Sequence, residues 1–189
     1  MGNSNKCQWS LKTDLEEVYH DEEWGVPVFD DKTLFELLSL ELCQSGLSWH
    51  TILKKREGYL LAFDNFEINK VAAYDQDTID TLVVDERIVR HRAKISAIIN
   101  NAKCFISIQT EYGSFSEYLW GFVNKTPVVG SWKDESLVPA FTELSDKISK
   151  DMKKQGFKFL GSTTVYAFLQ SVGVVNDHTI KCFRFSHCK

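Results

Sequence analysis

Two cysteines and two histidines at opposite ends of the chain are the residues best suited to chemistry: Cys7 and His20 near the start, His178 and Cys182 near the finish. The last pair reads H-x-x-x-C. On a helix, or on a turn continuing one, that spacing sets an imidazole and a thiolate on one face. Two thiolates and two imidazoles would complete a tetrahedral zinc site that is structural rather than catalytic, because no position is left open. The plain alternative is a set of unrelated buried residues, since free cysteines are often simply buried. The neighbouring residues favour the metal.

Those neighbours are aromatic. The segments C-x-W at 7–9, YHDEEWGVP at 19–27 and LELCQSGLSW at 40–49 bring Trp9, Tyr19, Trp24 and Trp49 together with the carboxylate of Glu41. Aromatic walls around a charge suit a flat ligand with a cationic or amine-bearing edge. Tryptophans are mostly core residues, but a buried carboxylate without a partner costs several kcal/mol and so normally has a function.

These side chains must be positioned by helices, because apolar residues recur at helical spacing and no strong strand alternation is present. From Asp31, read as an N-cap, a helix runs to Gly46 with Leu34, Leu38, Glu41 and Ser45 on one face and Phe35 and Leu42 beside them. It is apolar around most of its circumference, so it is a buried helix and Glu41 points inward. Further helices are expected over 77–83, His91–Ser107, 114–123, 142–155 and 163–172, the last capped by Ser162. The stretch 125–140 reads as a surface loop. The fold class is all-α, in one domain spanning 1–189.

The chain has 189 residues, 43% hydrophobic and 13% aromatic, which marks a folded globular protein. Five cysteines without regular spacing fit reduced thiols in a cytoplasm. No apolar run approaches a membrane span, and the start MGNSNK departs from a myristoylation site at Lys6. The net charge of −4 excludes wholesale coating of nucleic acid. It leaves three candidate basic faces: Lys54-Lys55-Arg56, Arg90-His91-Arg92 with Lys94, and Lys147, Lys150, Lys153, Lys154 and Lys158. His50, His91 and His187 are read as surface or supporting groups, Cys43 and Cys104 as buried thiols, and Cys188 as a mobile bystander.

The motifs YHDEEWGVP, LELCQSGLSWHTILKKRE, IVRHRAKI, KKQGFKFLGSTTVY and GVVNDH-x-x-x-C, in this order over nearly the whole chain, closely resemble the bacterial DNA-3-methyladenine glycosylase I family. The resemblance implies zinc on Cys7, His20, His178 and Cys182. It also implies a methylated-base pocket at Trp9, Tyr19, Trp24, Glu41 and Trp49, with Glu41 the residue closest to the chemistry. It places the chain in the helix-hairpin-helix glycosylase superfamily, whose hairpin binds a DNA phosphate through backbone N–H groups. Gly161, Ser162, Thr163 and Lys158 fall in that hairpin, with Phe159 where its first glycine usually lies.

Two absences sharpen the expectation. Asn176 stands where other superfamily members place a catalytic aspartate, and Thr163 where bifunctional members place a Schiff-base lysine. Without the lysine, hydrolysis alone remains. Without the aspartate, the leaving base must already be good, as an adenine carrying positive charge from N3 alkylation is. The resemblance thus implies a cytoplasmic, monomeric, monofunctional glycosylase that flips 3-methyladenine out of double-stranded alkylated DNA and releases the free base. Glu16, Leu42 and Cys43 depart from the pattern of well-known relatives near the pocket. The departures at Glu16 and Cys43 keep open a lesion-recognition protein without turnover, and the acidic composition keeps open a small-molecule-binding zinc protein.

Overall fold

Seven helices begin where a side chain accepts a hydrogen bond from the amide three residues on, the N-cap arrangement that satisfies an otherwise orphaned donor. The caps are Thr13, Asp30, Ser48, Asp75, His91, Ser114 and Thr142. The computed structural model describes residues 5–188, and residues 1–4 of the myristoylation-like start lie outside them. Among the described residues the helices are α1 (Asp14–Glu22), α2 (Asp31–Gln44), α3 (Trp49–Ala62), α4 (Ile68–Ala72), α5 (Gln76–Val83), α6 (Arg92–Tyr112), α7 (Phe115–Gly121), α8 (Glu143–Lys154) and α9 (Ser162–Ser171). None is long and apolar enough to cross a membrane.

The molecule is built around α2. Every residue from Leu34 to Cys43 except Glu36 is buried, and α3, α6, α7 and α9 surround the helix. Gly46, at φ +81°, turns the chain out of α2 toward Trp49. Among the described residues the all-α expectation holds but for one short parallel pair, β1 (Val128–Val129) with β2 (Val175–Asn176), in the register Val128 to Val175. It anchors the 125–140 segment, read as a plain surface loop, to the chain ahead of His178. The close approach of the 25–28 segment to the end of α9 requires glycine at 173, where a Cβ would sit 2.5 Å from Val26 and Pro27 backbone.

Several boundaries differ from the sequence reading for local reasons. Asp30 caps α2, whereas Asp31 reaches across to accept from the amides of Phe115 and Ser116, each at 2.8 Å, and so supplements the Ser114 cap of α7. Ser162 starts α9 but does not cap it, because its hydroxyl is engaged by Ser145 Oγ at 2.8 Å and the N-cap is Gly161. Helix α6 continues past Ser107, burying Ile108. Cys188, read as a mobile bystander, is instead fully buried, with its amide bonded to the Arg184 carbonyl and its sulfur packed near Gly25.

A buried Cys/His cluster beside an aromatic cavity

The start and end of the chain meet. Cys7 precedes a short 3-10 turn, His20 lies on α1, and His178 and Cys182 lie in the turn after β2 rather than on a helix. That turn is closed by Cys182 N–H donating to Thr179 C=O at 2.8 Å, and it achieves the convergence expected of H-x-x-x-C. All four residues are buried and their ligand atoms lie within 4.8 Å of one another. His20 Nε2 is 3.4 Å from Cys182 Sγ, and His178 Nδ1 is 3.7 and 3.5 Å from the sulfurs of Cys7 and Cys182.

The cluster fits a metal ion. Sulfur at about 2.3 Å and nitrogen at about 2.0–2.1 Å from a tetrahedral centre stand roughly 3.5 Å apart, close to the separations present. Each imidazole also has its second nitrogen engaged: His20 Nδ1 with Asp21 Oδ1 at 2.8 Å, His178 Nε2 with the Trp24 carbonyl at 3.1 Å. Such outer partners fix the ring orientation of a metal-binding histidine. Hydrogen bonds from Cys7, then from His178 and His20, hold the Cys182 thiol far below its ordinary range.

The cluster forms the back of a cavity. Trp24 lies edge-on to His178 at 4.6 Å, and Trp9 edge-on to His20 at 5.5 Å and to Trp24 at 5.1 Å. In front of them is a cavity of about 290 Å³ that brings together Trp9, Tyr19, Trp24, Glu41 and Trp49, all five residues expected there. Glu16, Leu42 and Cys43 are not among its lining residues. Glu16 accepts from the Thr13 hydroxyl, and Leu42 and Cys43 pack in the core.

Three polar groups define the cavity's chemistry. Glu41 accepts no hydrogen bond among the described residues, and burial alone pushes its carboxyl up to about 8. The Tyr19 hydroxyl and Trp49 Nε1 are buried without a partner. Burial, and then the neighbouring Glu41, hold the Tyr19 hydroxyl well above its usual range, so it remains a donor. An unpaired acid and two unpaired donors between aromatic rings match a flat heterocycle with both donor and acceptor edges.

Composition and spacing did not point to Gln44, Glu135, Val138, Ala167, Gln170 and Asp177, which complete the lining. Glu135 comes from the 125–140 segment and accepts from the Trp9 amide at 3.2–3.3 Å. The N-D-H run was the available signal for Asp177. Asn176 faces away: its amide donates to Phe185 C=O at 2.9 Å and its oxygen accepts from His178 N–H at 3.2 Å.

The hairpin residues lie at the start of α9, whose later residues Ala167 and Gln170 reach the cavity. Lys158, Gly161 and Thr163 are exposed and Ser162 is half-buried. Asn101 grips the Lys158 backbone on both sides, accepting from its N–H at 2.8 Å and donating to its C=O at 3.1 Å. Phe159 takes the left-handed conformation, φ +58°, that its glycine-like position demands. Of the three basic faces, two are engaged internally. Arg56 pairs with Glu23 and Glu36, Arg92 with Asp80, and Lys94 is buried against the Cys43 and Ser45 carbonyls. The lysines at 147, 150, 153, 154 and 158 are exposed.

Comparison with known proteins agrees with this geometry. The model of the family described as methyladenine glycosylase matches residues 9–185. The chain belongs to that family. It is 46% identical over 177 residues to DNA-3-methyladenine glycosylase 1 of Escherichia coli (strain K12), covering 94% of this chain and 95% of that protein. The solved 3-methyladenine DNA glycosylase I of Staphylococcus aureus superimposes with a TM-score of 0.93 at 42% identity, over 97% of this chain and 98% of that one. A variant of 3-methyladenine DNA glycosylase I solved in complex with 3-methyladenine gives 0.93 at 41% identity, over 96% and 97%. The family match spans every residue of the cavity lining and His20, His178 and Cys182 of the cluster, with Cys7 just ahead of it.

Proposed function

We propose that this methyladenine glycosylase hydrolyses the N-glycosidic bond of 3-methyladenine in double-stranded alkylated DNA, acting as a single-domain cytoplasmic monomer with one structural zinc on Cys7, His20, His178 and Cys182. The observation that carries the reading is the unpartnered Glu41 carboxyl facing an aromatic cavity. An acid held up by burial titrates near neutral pH, and a cationic base draws it to the ionised form. A neutral adenine offers no such compensation, so the cavity discriminates by charge. The cationic base departs as a neutral molecule when the bond breaks, which is why a weak catalytic apparatus suffices.

Trp49 stacks on the flipped base, Glu41 and Tyr19 read its polar edge, and Trp9 and Trp24 close the walls. Gly161, Ser162 and Thr163 present the first amides of α9 to a DNA phosphate, with Lys158 beside them. Along α9, Ala167 and Gln170 are five to eight residues beyond Ser162, roughly 8–12 Å at the helical rise. One helix can thus span from the DNA backbone to the extruded base. Zinc, when bound, supplies rigidity rather than a reactive centre, because all four positions of its tetrahedron are filled by protein.

Methylated duplex DNA incubated with the protein should release free 3-methyladenine, leave abasic strands uncut and yield no borohydride-trapped adduct, since Thr163 carries no amine. Specific binding without base release would instead identify a lesion-recognition protein, and a trapped adduct would overturn the monofunctional assignment.

A further inference from the structure

The cavity contains a second buried acid of a different character. Asp177 is 3% exposed and lines the cavity beside Gln170. Its Oδ1 accepts from Trp132 Nε1 at 2.6 Å, and its Oδ2 from Gln170 Nε2 at 2.8 Å and from the Tyr166 hydroxyl. The indole and amide groups are donors here, and burial followed by the bond to Asp177 raises the Tyr166 hydroxyl, keeping it a donor too. Three donors directed at one group match the acceptor-only chemistry of an ionised carboxylate. Among the described residues no lysine, arginine or histidine pairs with it. The fold also leaves space for it: a Cβ on Gly130 would fall 2.4 Å from Asp177 Oδ1 and 2.3 Å from Trp132 Nε1.

A carboxylate that already accepts from three protein donors does not need the ligand for its hydrogen bonds. Glu41, in contrast, accepts no hydrogen bond among the described residues. We propose that Asp177 is a specificity-determining residue, a fixed negative charge that favours positively charged over neutral bases in this cavity. The inference rests on the function proposed above. It adds Asp177 to Glu41 as a source of the preference for a cationic lesion, while Glu135, the third carboxylate of the lining, is half-buried and accepts from the Trp9 amide.

The test uses two ligands of one shape. They are 3,9-dimethyladeninium, a permanent cation, and its neutral isostere 3,9-dimethyl-3-deazaadenine, titrated into zinc-loaded protein. Asp177→Asn should lower the cation-to-neutral affinity ratio by about tenfold or more, the scale of one charge acting across a low-dielectric cavity, with the neutral ligand little changed. Trp132→Phe removes one donor but keeps the charge, so the ratio should stay near wild type. Equal losses for both ligands in Asp177→Asn, or a ratio already near one in wild type, would overturn the proposal. Asp177→Ser serves as a second neutral variant judged by the same ratio, and failure of both to fold would assign Asp177 to the scaffold alone. Wild-type protein that binds neither ligand and releases no base would overturn the function itself, whereas base release with an unchanged ratio in the variants would overturn only the role of Asp177.

Discussion

Glu41 ties stability to recognition. Its carboxyl has an ordinary value of 4.5 and rises to about 8 in the folded chain, so the folded state binds a proton that the unfolded state has released across this range. Its contribution to stability is therefore fully present below pH 4.5 and lost as pH rises through 8. Glu41→Gln does not titrate. Its melting temperature should match wild type near pH 4 and exceed it increasingly toward pH 8, with an upper bound of about 5 kcal/mol, or about 10–20 °C for a chain of this size. A difference that stays flat across thermal scans at several pH values would show that Glu41 is not held up by burial. The same variant should lose about ten- to a hundredfold in 3-methyladenine affinity, the scale of a hydrogen bond to a charged group, with a smaller change for adenine. At this scale the sequence was legible where rare residue types marked the site: the cysteines, histidines, tryptophans and a carboxylate on an apolar helix face. Asp177, Gln170 and Asn101 were not legible, because polar residues of common type acquire roles only through partners 7 to 57 positions away.

At the scale of elements, the periodicity of α2, α5, α7 and α8 was read almost to the residue, and what it missed came from long-range capping. Asp31 reads as a cap for its own helix until α7 is brought against it. Lys94 reads as part of a basic face, but its 7% exposure and its bonds to two carbonyls at the end of α2 make it an internal clamp. The α1 and α3 helices lacked a clear apolar stripe because they lie between core and site. Asn101 offers a test of how elements divide the work. It binds the Lys158 backbone and does not line the cavity, so Asn101→Ala removes the partners of a hairpin N–H and C=O, at a cost of about 1 kcal/mol for each bond at this part-buried site. The variant should bind an undamaged duplex more weakly by anisotropy, yet take up free 3-methyladenine as wild type does. Equal weakening of both would mean that the hairpin and the cavity are not separable.

The whole molecule is closed by a contact between residues 171 positions apart, Cys7 with His178. Joining the chain ends in this way would couple binding of the proposed zinc to folding, because the unfolded chain has no preformed site. The coupling reaches the cavity directly: Trp9 and Trp24, which form its wall, pack against the rings of His20 and His178, and the Trp24 carbonyl meets His178 Nε2. Loss of the metal should therefore act on recognition as well as on stability. Purified protein should contain about one zinc per chain, and chelation should lower its melting temperature. Cys182→Ser should lower zinc content and melting temperature together. In either case, under conditions where most of the chain is still folded, affinity for free 3-methyladenine should fall before helical content does, because the ligand-facing tryptophans lose their backing while the α2 core remains packed. Circular dichroism alongside ligand titration separates the two. If chelated protein melts as before, the four-residue cluster is not a structural metal site. If affinity and helicity fall together, the tryptophan wall depends on the whole fold rather than on the metal behind it.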